Sequence, residues 1–150
     1  MTQLPERYKN AVVPHIMIKG ASNAIAFYKK AFNAREVFRI APDHGPIIHA
    51  EIMIENSIIM LGDADGDFSD PKALAGTTVG LHVYVENVDA LFHQAITAGG
   101  EAIQPVQDMF YGDRMGMLKD PFGHIWVLLT AKESLTPDEI VKRAEALFKK

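Results

Sequence analysis

Two histidines in this chain stand at matching places, His15 in AVVPHIMI (11–18) and His82 in TVGLHVYV (78–85), each amid alternating apolar residues. Two imidazoles facing one site could bind a divalent metal through neutral ring nitrogens. Alone they are too few, because catalytic zinc keeps about three protein ligands and a water. The other reading has both histidines hydrogen-bonded to neighbours or to a ligand. Glu51 offers the carboxylate such a site lacks. In HAEIMI (49–54), His49, Glu51 and Met53 share one strand face, and Ala50, Ile52 and Ile54 share the other. As a third metal ligand or a general base Glu51 fits the chemistry, since a partly buried carboxylate has a raised pKa suited to proton abstraction. Otherwise it is an exposed strand residue. Arg114, in YGDRMG (111–116), could clamp a substrate carboxylate or phosphate through its planar fork of donors. Alternatively Asp113 and Arg114 fix a turn, with Tyr111 packed beside it. DADGDFSD (63–70) spaces Asp63, Asp65 and Asp67 like the start of a calcium loop. Phe68 and Leu74 stand where that loop needs Gly and Glu, so it reads as a solvated acidic linker.

The elements that must position these residues come as an internal repeat. His15 and His82 lie 67 positions apart, and at that offset the rest of the chain falls into register. Each first strand precedes a stretch with apolar residues at helical spacing. The first has Ala21, Ile25, Tyr28 and Phe32 behind Ser22 or Asn23 as cap; the second has Val88, Leu91, Phe92, Ala95 and Ile96 behind Asn87. Second strands follow at 35–41 and about 101–107. Third and fourth strands are expected at 46–54 with 57–62, and at 114–119 with 124–130. The first pair is joined by Glu55-Asn56 and the second by Asp120-Pro121-Phe122-Gly123, with Asn56 and Gly123 matched as turn residues tolerant of positive φ. The order is β-α-β-β-β twice in a single domain: unit one about 11–62, a linker 63–77, and unit two about 78–130. A terminal helix over about 136–149 begins with Thr136 as cap, Pro137 at the first helical position and Glu139 completing a capping box.

Alternation then assigns faces. Gly80 and Tyr84 go with His82, Val13 and Met17 with His15, and Ile125 and Leu129 with Val127. Trp126 points toward the helices and reads as core. Composition narrows the classes of function. Nearly half of the 150 residues are apolar and 23% are charged, as in packed globular proteins. The net charge of −4 argues against a nucleic-acid partner, which needs a basic face. No apolar run approaches the roughly 20 residues that span a bilayer, and MTQLPERYKN lacks a signal-peptide core. The absence of cysteine removes disulfides, thiolate nucleophiles and Cys-ligated zinc. A cytoplasmic protein with no membrane partner is the expectation.

Val-Pro-His (13–15), AIAFYKKAFNA, HAEIMI and YGDRMGMLKDPFGHIWVLLT together resemble the vicinal oxygen chelate superfamily, and within it the glyoxalase/bleomycin-resistance group and its PhnB-like branch. The likeness covers 11–131, and the PDEIVKRA tail resembles that branch as well. It implies an α+β fold with two curled four-stranded sheets around a cleft, a small-molecule ligand, and a homodimer. Members include metal-dependent lyases, isomerases, ring-cleaving dioxygenases, antibiotic-modifying transferases and drug-sequestering proteins. Where a metal is bound, the first and fourth strands of each unit supply a His and a Glu. Carried over, these positions are His15, Met60, His82 and Val127, and neither Met60 nor Val127 can hold a hard divalent ion. The cleft would be lined by His49, Met60, Tyr84, Tyr111 and Val127. The expectation is therefore a protein that binds a small organic molecule without the complete four-ligand metal set. Catalysis would be proton transfer or isomerisation by Glu51 or a histidine, with Arg114 orienting an anionic group. One alternative is a lyase or dioxygenase in which His15, His82 and Glu51 hold zinc, nickel, manganese or iron. Another is a non-enzymatic protein that sequesters a drug or toxin. Whether the two units pair within a chain or are exchanged between subunits stays open.

Overall fold

The computed structural model describes residues 3–9 and 12–149. After a short 3-10 turn at Glu6–Tyr8, unit one runs β1 (His15–Ile18), α1 (Ala21–Phe32), β2 (Arg35–Ile40), β3 (His49–Ile54) and β4 (Ser57–Asp63). A one-turn helix, α2 (Pro71–Leu74), lies in the linker. Unit two repeats the order as β5 (Gly80–Tyr84), α3 (Val88–Ala98), β6 (Glu101–Asp108), β7 (Asp113–Lys119) and β8 (Ile125–Ala131), and α4 (Pro137–Phe148) follows. β1 starts later than expected, at His15, and residue 11 lies outside the described residues. The sheets are ordered β1-β4-β3-β2 and β5-β8-β7-β6. In each, the first strand pairs parallel with the fourth and the other pairings are antiparallel. No helix among the described residues is long and apolar enough to cross a membrane.

The helix starts show how deeply the repeat runs. The expected cap at Ser22 or Asn23 is not used, because both already lie inside α1. Gly20 takes the cap position at φ 89, and the carboxylate that serves the helix is borrowed from the end of β4. Asp63 Oδ1 accepts from the Gly20 and Ala21 amides at 2.9 Å each, and its Oδ2 accepts from Ile47 at 2.7 Å. Asp63 is thus a structural anion at a helix start, where the exposed amides and the dipole favour it, and not part of a solvated linker. At the same offset in unit two, Thr130 Oγ1 accepts from the Val88 amide at 2.8 Å. There the expected Asn87 cap also forms, accepting from Ala90 at 3.1 Å. In the β3–β4 turn the positive φ falls on Glu55 (52°) and not on Asn56, while Gly123 (97°) keeps its expected role. The capping box of Thr136 and Glu139 is present on α4.

One apolar core serves both units. It gathers α1, α3 and the helix-facing strand residues, with Tyr28, Phe32, Leu118, Leu128 and the expected core residue Trp126 all nearly or fully buried. Trp126 lies 5.2 Å from the Tyr28 ring and 4.6 Å from that of Phe32, centroid to centroid. The units are joined through Asp120, which is 3% exposed. Its Oδ2 accepts from the Tyr28 hydroxyl at 2.6 Å and the Trp126 indole at 2.8 Å. Its Oδ1 accepts from the amides of Phe122 (2.8 Å) and His124 (3.0 Å). His124 in turn lies 2.9 Å, through Nε2, from the Met17 carbonyl of β1. Burying a carboxylate is tolerable only when its lone pairs are filled, and here four donors fill them.

Replacing Tyr28 with Phe removes one of those donors without changing the ring. The expected loss is about 2 kcal/mol, the usual worth of a buried hydrogen bond to a charged group. It should appear as a lower urea midpoint at unchanged slope, followed by the fluorescence of Trp126. An unchanged midpoint would mean that the hydroxyl adds nothing to the union of the two units.

Candidate functional site

Strand register arranges the face of each sheet that points away from the helices as a row of side chains. In the first sheet His15 opposes Met60, Met60 opposes Glu51, and Glu51 opposes Phe38. A register shift between Glu36 and Phe38 brings Phe38 into that row. In the second sheet the row is His82, Val127, Met117 and Gln104. The two rows differ in kind. The first is centred on a carboxylate. The second carries a small apolar cluster of Met115, Val127 and Leu129, with Met109, Tyr111 and Met117 against it.

Glu51 is only 2% exposed although it points away from the main core, because the chain's own N-terminal segment covers it. Arg7 Nε donates to its Oε1 at 3.0 Å, and the Tyr8 hydroxyl donates to its Oε2. His49 Nε2 lies 3.2 Å from the same Oε2. The His15 ring meets those of His49 and Phe68, each at 5.5 Å, and Phe38 meets His49 at 5.7 Å. Burial pushes the Glu51 carboxyl up, but the hydrogen bonds from Tyr8, Arg7 and His49 and the Arg7 charge outweigh it. Its pKa therefore falls below the ordinary 4.5, opposite to the raised value expected from burial alone. Glu51 is an anion at neutral pH. Partial desolvation, and then the neighbouring His49, lower the pKa of His15 below 6.5.

The structure thus brings together four of the residues picked out from sequence: His15, His49, Glu51 and Met60. The others lie elsewhere. His82 and Tyr84 line a cavity of about 620 Å³ with Arg7, Val13 and Pro14. His15 lines a different one of about 610 Å³ with Met17, Phe68, Leu74, Val79 and His124. Tyr111 and Val127 belong to the apolar cluster of the second sheet. Arg114 alternates onto the helix side of β7 and is already engaged there. It donates to both oxygens of Asp89 at 2.8 and 2.9 Å and to Asp108 at 3.1 Å, which raises its pKa further. It is not a free clamp beside Glu51. Arg7 and Tyr8 were missed, and ERY carries no motif that could have announced them.

The implied metal set can be tested on its donors. The four positions hold two imidazoles, a thioether and an isopropyl group, so they lack the carboxylate oxygens a hard divalent ion requires. The residues do not fit that set. Among the described residues, no three His, Asp or Glu side chains are grouped to hold a metal ion.

Because the folded pKa of Glu51 lies below its unfolded value, the ionised group stabilises the fold above about pH 4.5, and this is lost as pH falls through the folded pKa. The stability difference between the native chain and Glu51→Gln should therefore shrink as pH is lowered from 6 to 3. Paired urea titrations check this, and a difference that stays flat would show that the carboxylate gains nothing from its donors.

Comparison with known proteins places this geometry. The model of the Glyoxalase/Bleomycin resistance protein/Dioxygenase superfamily matches residues 12–128. An uncharacterized protein of Mycobacterium bovis is 38% identical over 135 residues, covering 87% of this chain and 89% of that one. Among solved structures, TioX from Micromonospora sp. ML1 superposes with a TM-score of 0.66 at 25% identity, covering 85% of this chain and all (100%) of that one. The PhnB protein of Bacillus cereus gives 0.64 at 23% identity, covering 81% and 100%. The fosfomycin resistance protein FosX of Listeria monocytogenes, complexed with Mn(II) and sulfate, gives 0.63 at 18% identity, covering 91% and 98%, a likeness of fold. With the family model spanning nearly all of both units, this chain belongs to the glyoxalase/bleomycin resistance protein/dioxygenase superfamily.

Proposed function

We propose that this chain binds a small organic molecule against the outer face of its first sheet, with Glu51 meeting the ligand's polar group. The observation that carries this is a buried carboxylate outside the main core, beside His49 and Phe38, with His15 against His49 and Phe68 against His15. Burying an anion is costly unless donors surround it, and here Arg7, Tyr8 and His49 are committed to holding one outside the main core. An ionised Glu51 can accept a proton from a bound molecule, and His49, 3.2 Å away, can pass it on. The reaction class is proton transfer or isomerisation that does not depend on the four-ligand metal set, whose positions hold His15, Met60, His82 and Val127. Sequestration without turnover is the second reading. It is favoured by the apolar patch of Met109, Tyr111, Met115 and Met117, since methionine surfaces adapt to varied apolar ligands.

A homodimer completes this reading. The apolar face of the second sheet, with Tyr84 60% exposed at its edge, would close over the Glu51 face of a second copy. Sedimentation should then show a dimer that Tyr84→Glu shifts toward monomer. A native chain that stays monomeric at high concentration would remove the pairing.

The function itself is tested by screening small organic molecules for a rise in thermal midpoint, because a ligand that binds only the folded chain raises it. Ligands found this way should bind Glu51→Gln about tenfold or more weakly. Bound in D2O with a chelator present, they should exchange a carbon-bound proton in the native protein and not in Glu51→Gln. Exchange that persists in the variant would remove Glu51 as the base. Binding without any exchange would favour sequestration.

A further inference from the structure

We propose that Arg7 and Tyr8 occupy the place of the ligand's own polar group, so that the molecule this site takes is an organic cation: a guanidinium or amine beside a flat ring. This rests on the proposed binding role of the Glu51 face and narrows it to a ligand class.

The argument starts from charge. The face around Glu51 is built by β1, β2, β3 and β4, and the side chains they turn toward it include His15, Met17, Phe38, Ile40, His49, Met53 and Met60. The one Lys or Arg on these strands that shares the face, Arg35, stands opposite Met53 at the start of β2, whereas Phe38 stands opposite Glu51. Among the described residues, the Lys or Arg paired with the carboxylate comes from outside the sheet, Arg7 at 3.0 Å. Glu51 itself is 2% exposed, so water cannot substitute for that charge while the face stays covered. Any molecule that takes over the face must displace Arg7 and must therefore bring a cation. An anionic ligand would meet an uncompensated carboxylate, and a neutral one would leave it unpaired.

The second part of the argument is shape. Arg7 does not arrive alone: its guanidinium lies 4.5 Å from the centroid of the Tyr8 ring, and the Tyr8 hydroxyl joins it on Glu51. A cation and a ring on adjacent residues act together as one aryl-guanidinium group. The surroundings suit such a group, since Phe38, Phe68, His15 and His49 offer ring faces and edges for stacking and cation–π contact. In this sense the N-terminal segment is an internal competitor, and ligand and segment exclude each other.

The test uses the full chain with Arg7→Ala/Tyr8→Phe, checked for native far-UV circular dichroism, and three probes of one shape: phenylguanidine, phenylurea and benzoate. Titration calorimetry should show phenylguanidine binding the double variant about tenfold or more tightly than the native chain. Phenylurea and benzoate should gain nothing. Adding Glu51→Gln should abolish the gain, and Arg7→Lys, which keeps a cation in place, should bind phenylguanidine no better than the native chain. If the double variant binds phenylurea as well as phenylguanidine, the preference for a cation is overturned while the face remains a ligand site. If a folded double variant binds none of the three probes, both the ligand class and the binding role of this face fall.

Discussion

Four donors on one buried carboxylate hold this protein in its shape. Asp120 gathers a phenol from the helix of unit one, an indole from the last strand of unit two, and two amides of its own turn. Each donor lowers the cost of keeping that charge in an apolar core. The carboxylate consequently fixes where α1 can sit relative to the β7–β8 turn. A second tie works at the other end of α1. Gln94 of α3 donates to the Lys30 and Ala31 carbonyls at 2.8 and 3.3 Å and to the Asn33 side chain at 2.9 Å, closing the helix end that would otherwise expose free acceptors. Between them these contacts tie α1 of unit one to the β7–β8 turn and to α3 of unit two. The FYKKAF helix and the DPFGH turn, so far apart in the chain, turn out to be two halves of one joint.

Duplication left the scaffold alike and the faces unlike. Both helices receive a side-chain oxygen from the fourth strand of their own unit, Asp63 in one and Thr130 in the other. Both sheets keep the same strand order and the same parallel pairing of first and fourth strands. The residues turned outward have diverged in kind. Where unit one places Glu51 between Met60 and Phe38, unit two places Met117 between Val127 and Gln104. A buried anion on the outward face thus belongs to unit one, and there the N-terminal segment supplies two of its donors.

Local physics made most of the fold legible in the sequence. Strand alternation placed Trp126 on the helix side, helical spacing found α1 and α3, and the Thr136–Glu139 box marked the start of α4. Errors arose where a partner lay far along the chain. The carboxylate serving α1 comes from 42 residues away, beyond the local pattern that points to Ser22 or Asn23. The same limit shaped the reading of the site. His49 and Glu51 could be put on one face from alternation alone, Met60 entered through the family resemblance, and register sets Met60 opposite Glu51. Arg7 lies 44 residues from Glu51 and Tyr8 43, with no periodicity to link them. Burial by itself implies a raised carboxyl pKa, and the donors from far along the chain reverse that direction. Arg114 was drawn toward the site by its chemistry, whereas the pleat of β7 and the nearby Asp89 turn it to the opposite side.

The joint between the units also has a consequence in time. Tyr28 and Asp120 are separated by 92 residues, so on a ribosome α1 is made long before the group that satisfies its phenol. At roughly 5–20 residues per second, the wait is on the order of 5–18 s. Throughout it Phe27, Tyr28 and Phe32, all buried in the finished protein, lack the rings of Phe122 and Trp126 that pack against them. Unit one is then a nascent segment with apolar surface uncovered until the DPFGH turn emerges.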